Sequence, residues 1–350
     1  MAPNNETPVL AIAQRRSFEK NDAFFSRHIP LVREVARKGA RLVAINGKTD
    51  HVDGDVFSRS YVFDEFKSTL TPTDQEVSID AAFDLTGGVA RYVPDVAALN
   101  PQGIRDIVVS KHEQFEVLKD LGEHIPLTMH VQAEAQAVVK ALDAFASSKI
   151  IVKTDNDAAK KNPMLIGTKD YIAMRLDDFL AKLNPEKDTI VIQEYMEEVH
   201  SDFMPGIQFA DAVEKEIADA RKDLNRELRV HLIDARPILV TGRAGLNPTE
   251  RSPLDKWVHL NQESVPGSVT ELAARVARRI MDQAQALDAY LAVDLTPDGS
   301  KVVEVNGRNI GTMSSDEARP ASRYAHEKTT SEIADKLVAM AERKRKEVAS

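Results

Sequence analysis

The sequence predicts a chain of mixed class, an α/β domain at its N-terminal end followed by α+β subdomains, and three observations carry that expectation. Val9-Leu-Ala-Ile-Ala13 and Arg41-Leu-Val-Ala-Ile-Asn46 are short apolar runs on either side of a helical stretch from about Asn21 to Lys38, which Gly39 ends. Tyr61-Val-Phe63 and Ala81-Ala-Phe-Asp-Leu85 continue the alternation, the pattern of a parallel sheet covered by helices. Near the other end, Tyr290 to Arg308 reads as two strands folded back about Thr296-Pro-Asp-Gly-Ser300. Pro297 presets the first central position of a type I turn, Asp298 suits the second, and Gly299 can take left-handed backbone.

A chain of 350 residues exceeds one simple core and should divide into two or three domains, the first ending near residue 108. Its 46 basic and 55 acidic residues give a formal charge of -9, which argues against a nucleic-acid backbone as main partner. There is no Cys, so disulfides, thiolate metal sites and a thiol nucleophile are excluded, and the nine His show no H-x-x-x-H spacing. The polar start, Met1-Ala-Pro-Asn-Asn-Glu-Thr7, is unlike a secretory signal. No apolar run approaches the ~20 residues a membrane span needs, so cytoplasmic residence without a membrane partner is expected.

A three-residue loop in the last hairpin would set Asp294 opposite Val302 and diagonal to Glu304. Side chains alternate along a strand, so Asp294, Glu304 and Asn306 then share one face. Two carboxylates and an amide, without His or Cys, suit a hard cation such as Mg²⁺, which keeps several waters and accepts phosphate oxygens. Acids on the wet face of an antiparallel hairpin are the plain alternative. Asn306-Gly-Arg308 follows directly, and a guanidinium beside such a cluster is a natural clamp for phosphate or carboxylate.

Other cations and acids lie along the chain in order. Arg15 and Arg16 sit just past the first strand, where ligands of such sheets bind, or are a solvated pair. Lys111 opens a helix running from His112 to Leu121, where free backbone donors already favour anions; a surface lysine is the alternative. A second helix spans Ala133 to Ala146, and Lys149-Ile-Ile-Val-Lys153 reads as an edge-like strand whose Lys153 either meets phosphate or snorkels. The loop from Thr154 to Gly167, with Lys160 and Lys161 and little Gly, could lie over a nucleotide. Thr189 to Met196 is a further strand, followed by the acids Glu197, Glu198 and Asp202. A charged stretch from Phe209 to about Asn225 looks inserted and suits an exposed helix. Leu228 to Val240 reads as a hairpin bent at Asp234-Ala-Arg-Pro237, and Arg243 and Arg251 mark a basic, Gly-containing segment after it. The stripe Leu272, Val276, Ile280 and Leu287 reads as core. A closing helix from Ser331, rich in Lys and Arg near its end, fits the helix dipole and needs no partner.

Taken together, Ser110-Lys111 with Leu121-Gly-Glu-His-Ile-Pro126, Ile150-Ile-Val-Lys153, Ile192-Gln-Glu-Tyr-Met196, Leu228-Arg-Val-His-Leu-Ile-Asp234, and Asp294 with Glu304-Val-Asn306 resemble, in order and spacing, the ATP-grasp superfamily of carboxylate-amine ligases. The resemblance spans roughly residues 8 to 315 and does not single out one member. It implies an ATP-grasp fold behind a Rossmann-like domain: residues 1–108, then a small subdomain over the nucleotide at 109–195, then a C-terminal subdomain with the metal site at 196–350. It implies ATP and Mg²⁺ as cofactors. Lys111 and Lys153 would hold phosphates, Gln193, Glu194, Tyr195 and Met196 would form the adenine hinge, and Asp202, with Glu227 as rival, would bind ribose. Arg229 would meet the phosphoryl group, Asp294, Glu304 and Asn306 would hold the metals, and Arg243 and Arg308 would steady the acyl phosphate or the substrate carboxylate. The glycine-poor loop after Lys153 and the extra stretch at 204–226 depart from the family pattern.

The chemistry so implied is activation of a small carboxylate as an acyl phosphate and its capture by an amine of a metabolite, amino acid or peptide, without a protein nucleophile. A homodimer is a reasonable expectation from the resemblance. Phosphotransfer to a hydroxyl, and nucleotide binding without catalysis, are the alternatives.

Overall fold

In the computed structural model the structure describes residues 7–14, 18, 22–85, 89–93, 96–155, 163–220, 225–246, 256–307 and 319–350. Strand β1 (Val9–Gln14) pairs in parallel with β2 (Arg41–Asn46), and α1 (Asp22–Arg37) connects them. Gly39 ends the helix at φ +78°, its N–H bonded to Ala36 O at 3.0 Å. Beyond β2 the chain runs through β3 (His51–Asp53), β4 (Val56–Phe57), β5 (Ser60–Asp64), β6 (Thr69–Thr73), β7 (Val77–Ser78), β8 (Ala81–Asp84) and β9 (Ala97–Leu99). The first sheet has the order β6-β5-β2-β1-β8-β9.

The expected alternation of strand and helix fails between β2 and β8. There β5 lies antiparallel to β2, and β3, β4 and β7 make a small separate sheet. The cause is local: left-handed residues at Gly54 and Ser68 break this stretch into pieces too short for a crossover helix. Arg15 and Arg16 lie outside the described residues.

Helices α2 (Gln102–Val109) and α3 (Lys111–Leu118) lead to a 3₁₀ turn (Lys119–His124) containing Gly122 at φ 61°. Then come β10 (Thr128–Gln132), α4 (Ala135–Leu142), β11 (Ile150–Thr154), β12 (Met164–Gly167), α5 (Lys169–Leu180) and β13 (Thr189–Glu194). They form a four-stranded sheet in the order β10-β13-β11-β12. The strand of Lys153 is therefore interior rather than an edge, because the second half of the supposed loop, Met164 to Gly167, pairs with it. Ile150, Val152, Ile190 and Ile192 bury one face beneath Val138, Ile172 and Phe179. The alternate face carries Ile151, Lys153, Val191 and Gln193.

The third part contains α6 (Ala212–Asp219), β14 (Asn225–Ile233), β15 (Arg236–Leu246), β16 (Lys256–His259), α7 (Gly267–Gln283), β17 (Tyr290–Leu295), β18 (Val302–Asn306) and α8 (Pro320–Ala349). Its five-stranded sheet is antiparallel, in the order β16-β15-β14-β17-β18. Asp234 and Ala235, at φ 49° and 59°, form the two-residue turn between β14 and β15. Leu272, Val276 and Ile280 of α7 pack on Leu228, Val230, Leu291 and Val293, whereas Leu287 lies beyond the helix and is 74% exposed.

Two further expectations are corrected here. In α6 the Lys215–Asp219 pair is surface charge as read, yet Glu214 is fully buried, so the helix is docked rather than solvent-bound. The closing helix starts at Pro320, not Ser331, and its basic residues do have partners: Lys336 with Asp288 at 2.6 Å, Lys344 with Asp55 at 2.5 Å and Arg345 with Asp80 at 2.8 Å. Ile333, Leu337 and Met340 fill a core shared with Leu10, Ile12, Phe83, Ile238 and Tyr290. This helix thus fastens the first sheet to the back of the five-stranded one.

Candidate active site

The hairpin of β17 and β18 turns as Thr296-Pro-Asp-Gly leads one to expect, with Gly299 N bonded to Thr296 O at 2.8 Å and Gly299 at φ +70°. Its loop is one residue longer than a three-residue turn, because Thr296 N meets Lys301 O at 2.9 Å rather than Ser300. A bulge then adds another residue, and Leu295 pairs with Val302 while Asp294 pairs with Glu304. The expected partner of Asp294 was Val302, so the register is corrected by two positions. Since facing repeats every two residues, two single-residue slips cancel, and the acids still share a face.

On that face Asp294, with 0% exposure, receives Arg229 Nε and Nη2 on its two oxygens at 2.5 Å each. Asn306 Nδ2 bridges Asp294 Oδ2 at 3.1 Å and Glu304 Oε1 at 3.0 Å, and Lys111 Nζ meets Glu304 Oε2 at 2.7 Å. Buried Gln114 fixes β18 from outside the sheet by accepting from Val305 N at 3.0 Å and donating to Val108 O at 2.7 Å. Buried Asn100 does the same at the hairpin's open end, donating to Tyr290 O and Gly307 O and accepting from Tyr290 N.

Burial in this cluster raises carboxyl pKa values, and neighbouring charges decide each outcome. Glu304 is held well below the usual range, because Lys111, Asn306 and Arg229 outweigh its burial. Burial pushes Asp294 up, against the opposing pull of its two-pronged contact with the Arg229 guanidinium. Glu227 is pushed up to about 8 by burial and by the Asp294 carboxylate, against the pull of Arg243.

The four-stranded sheet meets the hairpin where Ile151 and Ile166 pack in one cluster with Val303. Lys153 Nζ donates to Gln193 Oε1 at 3.1 Å, and Gln193 Nε2 reaches Thr128 Oγ1 at 3.0 Å. Glu194 turns to Ser147 Oγ at 2.8 Å. Tyr195 and Met196 are buried with Val199, and Ile151, Ile166 and Val303 pack on them. Val303 is the residue the bulge adds, so the irregularity that sets the acids face to face also lends the large sheet an apolar contact to this hinge.

Lys111 lies at the acids, but the helix behind it offers fewer free donors than expected. Ser110 Oγ caps Glu113 N at 3.0 Å, and Asp155 accepts from His112 N at 2.8 Å and from Ser110 Oγ at 2.9 Å. Asp202 and Glu227 separate clearly. Asp202 is 85% exposed and pairs with Arg226, whereas Glu227 faces Arg243 at 3.4 Å beside the acids. Arg243 and Arg229 both lie over Trp257 of β16, and Arg308, Lys160, Lys161 and Arg251 fall outside the described residues.

Sequence reasoning passed over Gln114, Asn100 and Trp257. The first two carry no local signal, since their partners lie 191 and 190 residues away in the chain. Trp257 had one: it is the single tryptophan, next to a basic segment.

No group of three or more His, Asp or Glu gathers as a ready metal cage among the described residues. The donor set nonetheless fits a hard cation, being two carboxylates and an amide on one face, their charge balanced here by Lys111 and Arg229.

The helix-covered first sheet, the four-stranded sheet and the five-stranded antiparallel sheet share the fold of solved ATP-grasp ligases. The D-cycloserine synthetase DcsG shares it at 16% identity and TM-score 0.57, covering 94% of this chain and 99% of its own. D-alanine–D-alanine ligase of Bacillus anthracis aligns at 15% identity and TM-score 0.57, over 98% of this chain and 99% of that one. The ATP-grasp ligase PsnB, solved with a minimal precursor, aligns at 12% identity and TM-score 0.55, over 95% and 99%. No protein-family model and no curated sequence matches the chain. No helix among the described residues is long and apolar enough to cross a membrane.

Proposed function

We propose that this protein is an ATP-dependent ligase that joins a carboxylate to an amine of a small metabolite, amino acid or peptide. The observation that supports the reading is the convergence of Asp294, Glu304 and Asn306 with Lys111 and Arg229, beside the four-stranded sheet that carries Lys153 and the Gln193–Met196 segment. Solved neighbours of the same fold include one with ATP and one with Mg and ADP. The three parts of the chain, 1–108, 109–195 and 196–350, would act as leading domain, nucleotide cover and metal-bearing subdomain.

In this reading the adenine lies against Tyr195, Met196, Ile151 and Val303. Lys111 and Lys153 hold phosphates as point charges. Asp202 is favoured over Glu227 for ribose, being exposed at the end of the hinge while Glu227 faces the acids. Mg²⁺ held by Asp294, Glu304 and Asn306 would neutralise charge on the β- and γ-phosphates. Arg229, Arg243 and Arg308 orient the substrate carboxylate and the acyl phosphate, and burial keeps water from that reactive species.

The test is ADP release in the presence of Mg²⁺ across amino acids, dipeptides and small dicarboxylates, with mass spectrometry of the product. An amide product supports the ligase; a phosphate ester makes the protein a kinase; ATP binding with no ADP from any mixture leaves a binding protein.

A further inference from the structure

A second group of contacts beside the acids centres on Trp257. Trp257 stands on β16 opposite Arg243 of β15. The guanidinium carbon of Arg229 lies 4.4 Å from its ring centre and that of Arg243 lies 5.4 Å away, both within reach of the ring quadrupole. Two like charges beside one ring repel, and each is also tethered to an acidic side chain: Arg229 to Asp294 at 2.5 Å, and Arg243 to Glu227 at 3.4 Å.

The strand under the ring is fixed from behind. Trp257 O accepts from Arg319 Nη2 at 2.9 Å, and Arg319 Nε also binds Glu214 Oε1 at 3.0 Å. Glu214 has 0% side-chain exposure and accepts from His259 N at 2.9 Å. A buried carboxylate without its partner is strongly unfavourable, so α6 is committed to this place by the pair. The only fully buried charge among the described residues of α6 is thus linked, through Arg319, to the backbone of the aromatic residue that meets both arginines.

We propose that Trp257 is a positioning residue of the ligase site: its ring holds Arg229 and Arg243 side by side toward the substrate carboxylate, and the Glu214–Arg319 pair fixes the strand that carries it. This rests on the ligase reading above. The inserted segment then serves the carboxylate end of the site without touching substrate.

The test has two arms on the full chain. In ADP release with the carboxylate found by the screen, Trp257→Leu is expected to raise KM for that carboxylate roughly tenfold and leave KM for ATP within about twofold, while Trp257→Phe, which keeps a ring face, stays within about threefold of wild type. Unchanged carboxylate KM in Trp257→Leu, or an equal rise in both KM values, overturns the positioning role. The second arm needs no turnover, because Trp257 is the chain's single tryptophan and its emission reports on the ring alone. Arg243→Met should change its intensity, and Glu214→Gln and Arg319→Lys should each shift its maximum with far-ultraviolet dichroism retained. Emission identical to wild type in all three overturns the strut. If no carboxylate gives ADP release, the ligase reading alone fails, and the emission arm still decides whether this network holds the ring.

Discussion

Arg229 of β14 and Asp294 of β17 are direct cross-strand partners, joined at both prongs of the guanidinium with 2.5 Å contacts, and the carboxylate has 0% exposure. Removing one member would strand the other charge in a low-dielectric interior, at a cost of about 3–5 kcal/mol. Arg229→Met should therefore lower the urea midpoint steeply, and the double change Arg229→Met with Asp294→Asn should recover part of the loss. A single mutant that unfolds at the wild-type midpoint would show that the pair is not a buried ion pair in solution.

Glu304 is ionised because Lys111, Asn306 and Arg229 overcome its burial. Glu304→Ala is expected to abolish ADP release with every substrate mixture, and Lys111→Met to weaken Mg·ATP binding by about tenfold, or ~1.4 kcal/mol. Chelating the metal should stop turnover reversibly. Full ADP release by Glu304→Ala would refute the metal assignment.

The pH dependence of stability carries a signature of Glu227. Its folded pKa of about 8 lies above the ordinary 4.5, so between those values the folded state holds a proton that the unfolded state has lost. Its contribution is complete below the lower value and declines as pH rises toward the upper, at up to about 1.4 kcal/mol per pH unit. Glu304 has the opposite sign, its contribution being present above 4.5 and lost on acidification. Burial depresses His130, His231 and His259, which adds a rising slope below their ordinary value of 6.5, so the window that isolates Glu227 is pH 6.5 to 8. There unfolding midpoints should fall more steeply in wild type than in Glu227→Gln; an equal slope in both would remove Glu227 as the cause.

Gly299 closes the β17–β18 hairpin at φ +70°, and a Cβ there would stand 2.5 Å from Val269 Cγ2. Gly299→Ala meets both backbone strain and a clash, and a loss of about 1–3 kcal/mol is expected in thermal unfolding. Retention of wild-type stability would mean the turn relaxes to another conformation.

The hairpin also shows what a sequence discloses. Pro297, Asp298 and Gly299 announce the turn, but a loop one residue longer than three and the bulge at Val303 do not appear in composition. Alternation rescued the inference, since only parity decides the face of Asp294, Glu304 and Asn306. Lys111 was legible from its place at a helix start, yet its contact with Glu304 is fixed by packing of α3 beside β18, which no local period encodes. The helix from Pro320 was underread because its charges look solvated until Asp55, Asp80 and Asp288, far away in the chain, are seen to receive them. The antiparallel β5 was misread for a similar reason: a strand's apolar alternation does not state its direction.

Asn100, just after β9 of the first sheet, gives the sharpest test of how the β17–β18 hairpin is held. It is buried, sits at φ 69°, and makes three bonds: Nδ2 to Tyr290 O at 2.9 Å and to Gly307 O at 2.8 Å, and Oδ1 from Tyr290 N at 2.7 Å. Asparagine tolerates left-handed backbone better than other non-glycine residues, and its amide is the only short side chain offering two donors and an acceptor there. Asn100→Ala loses the bonds and keeps the strain, for an expected cost of about 3 kcal/mol. Asn100→Gly relieves the strain but not the bonds, so it should be the less destabilised of the two while sharing a reduced kcat for ADP release. Urea unfolding together with turnover separates these terms: if Asn100→Gly restores both stability and kcat, the tether matters only through backbone conformation, and the bonds to Tyr290 and Gly307 do not hold the acids in place.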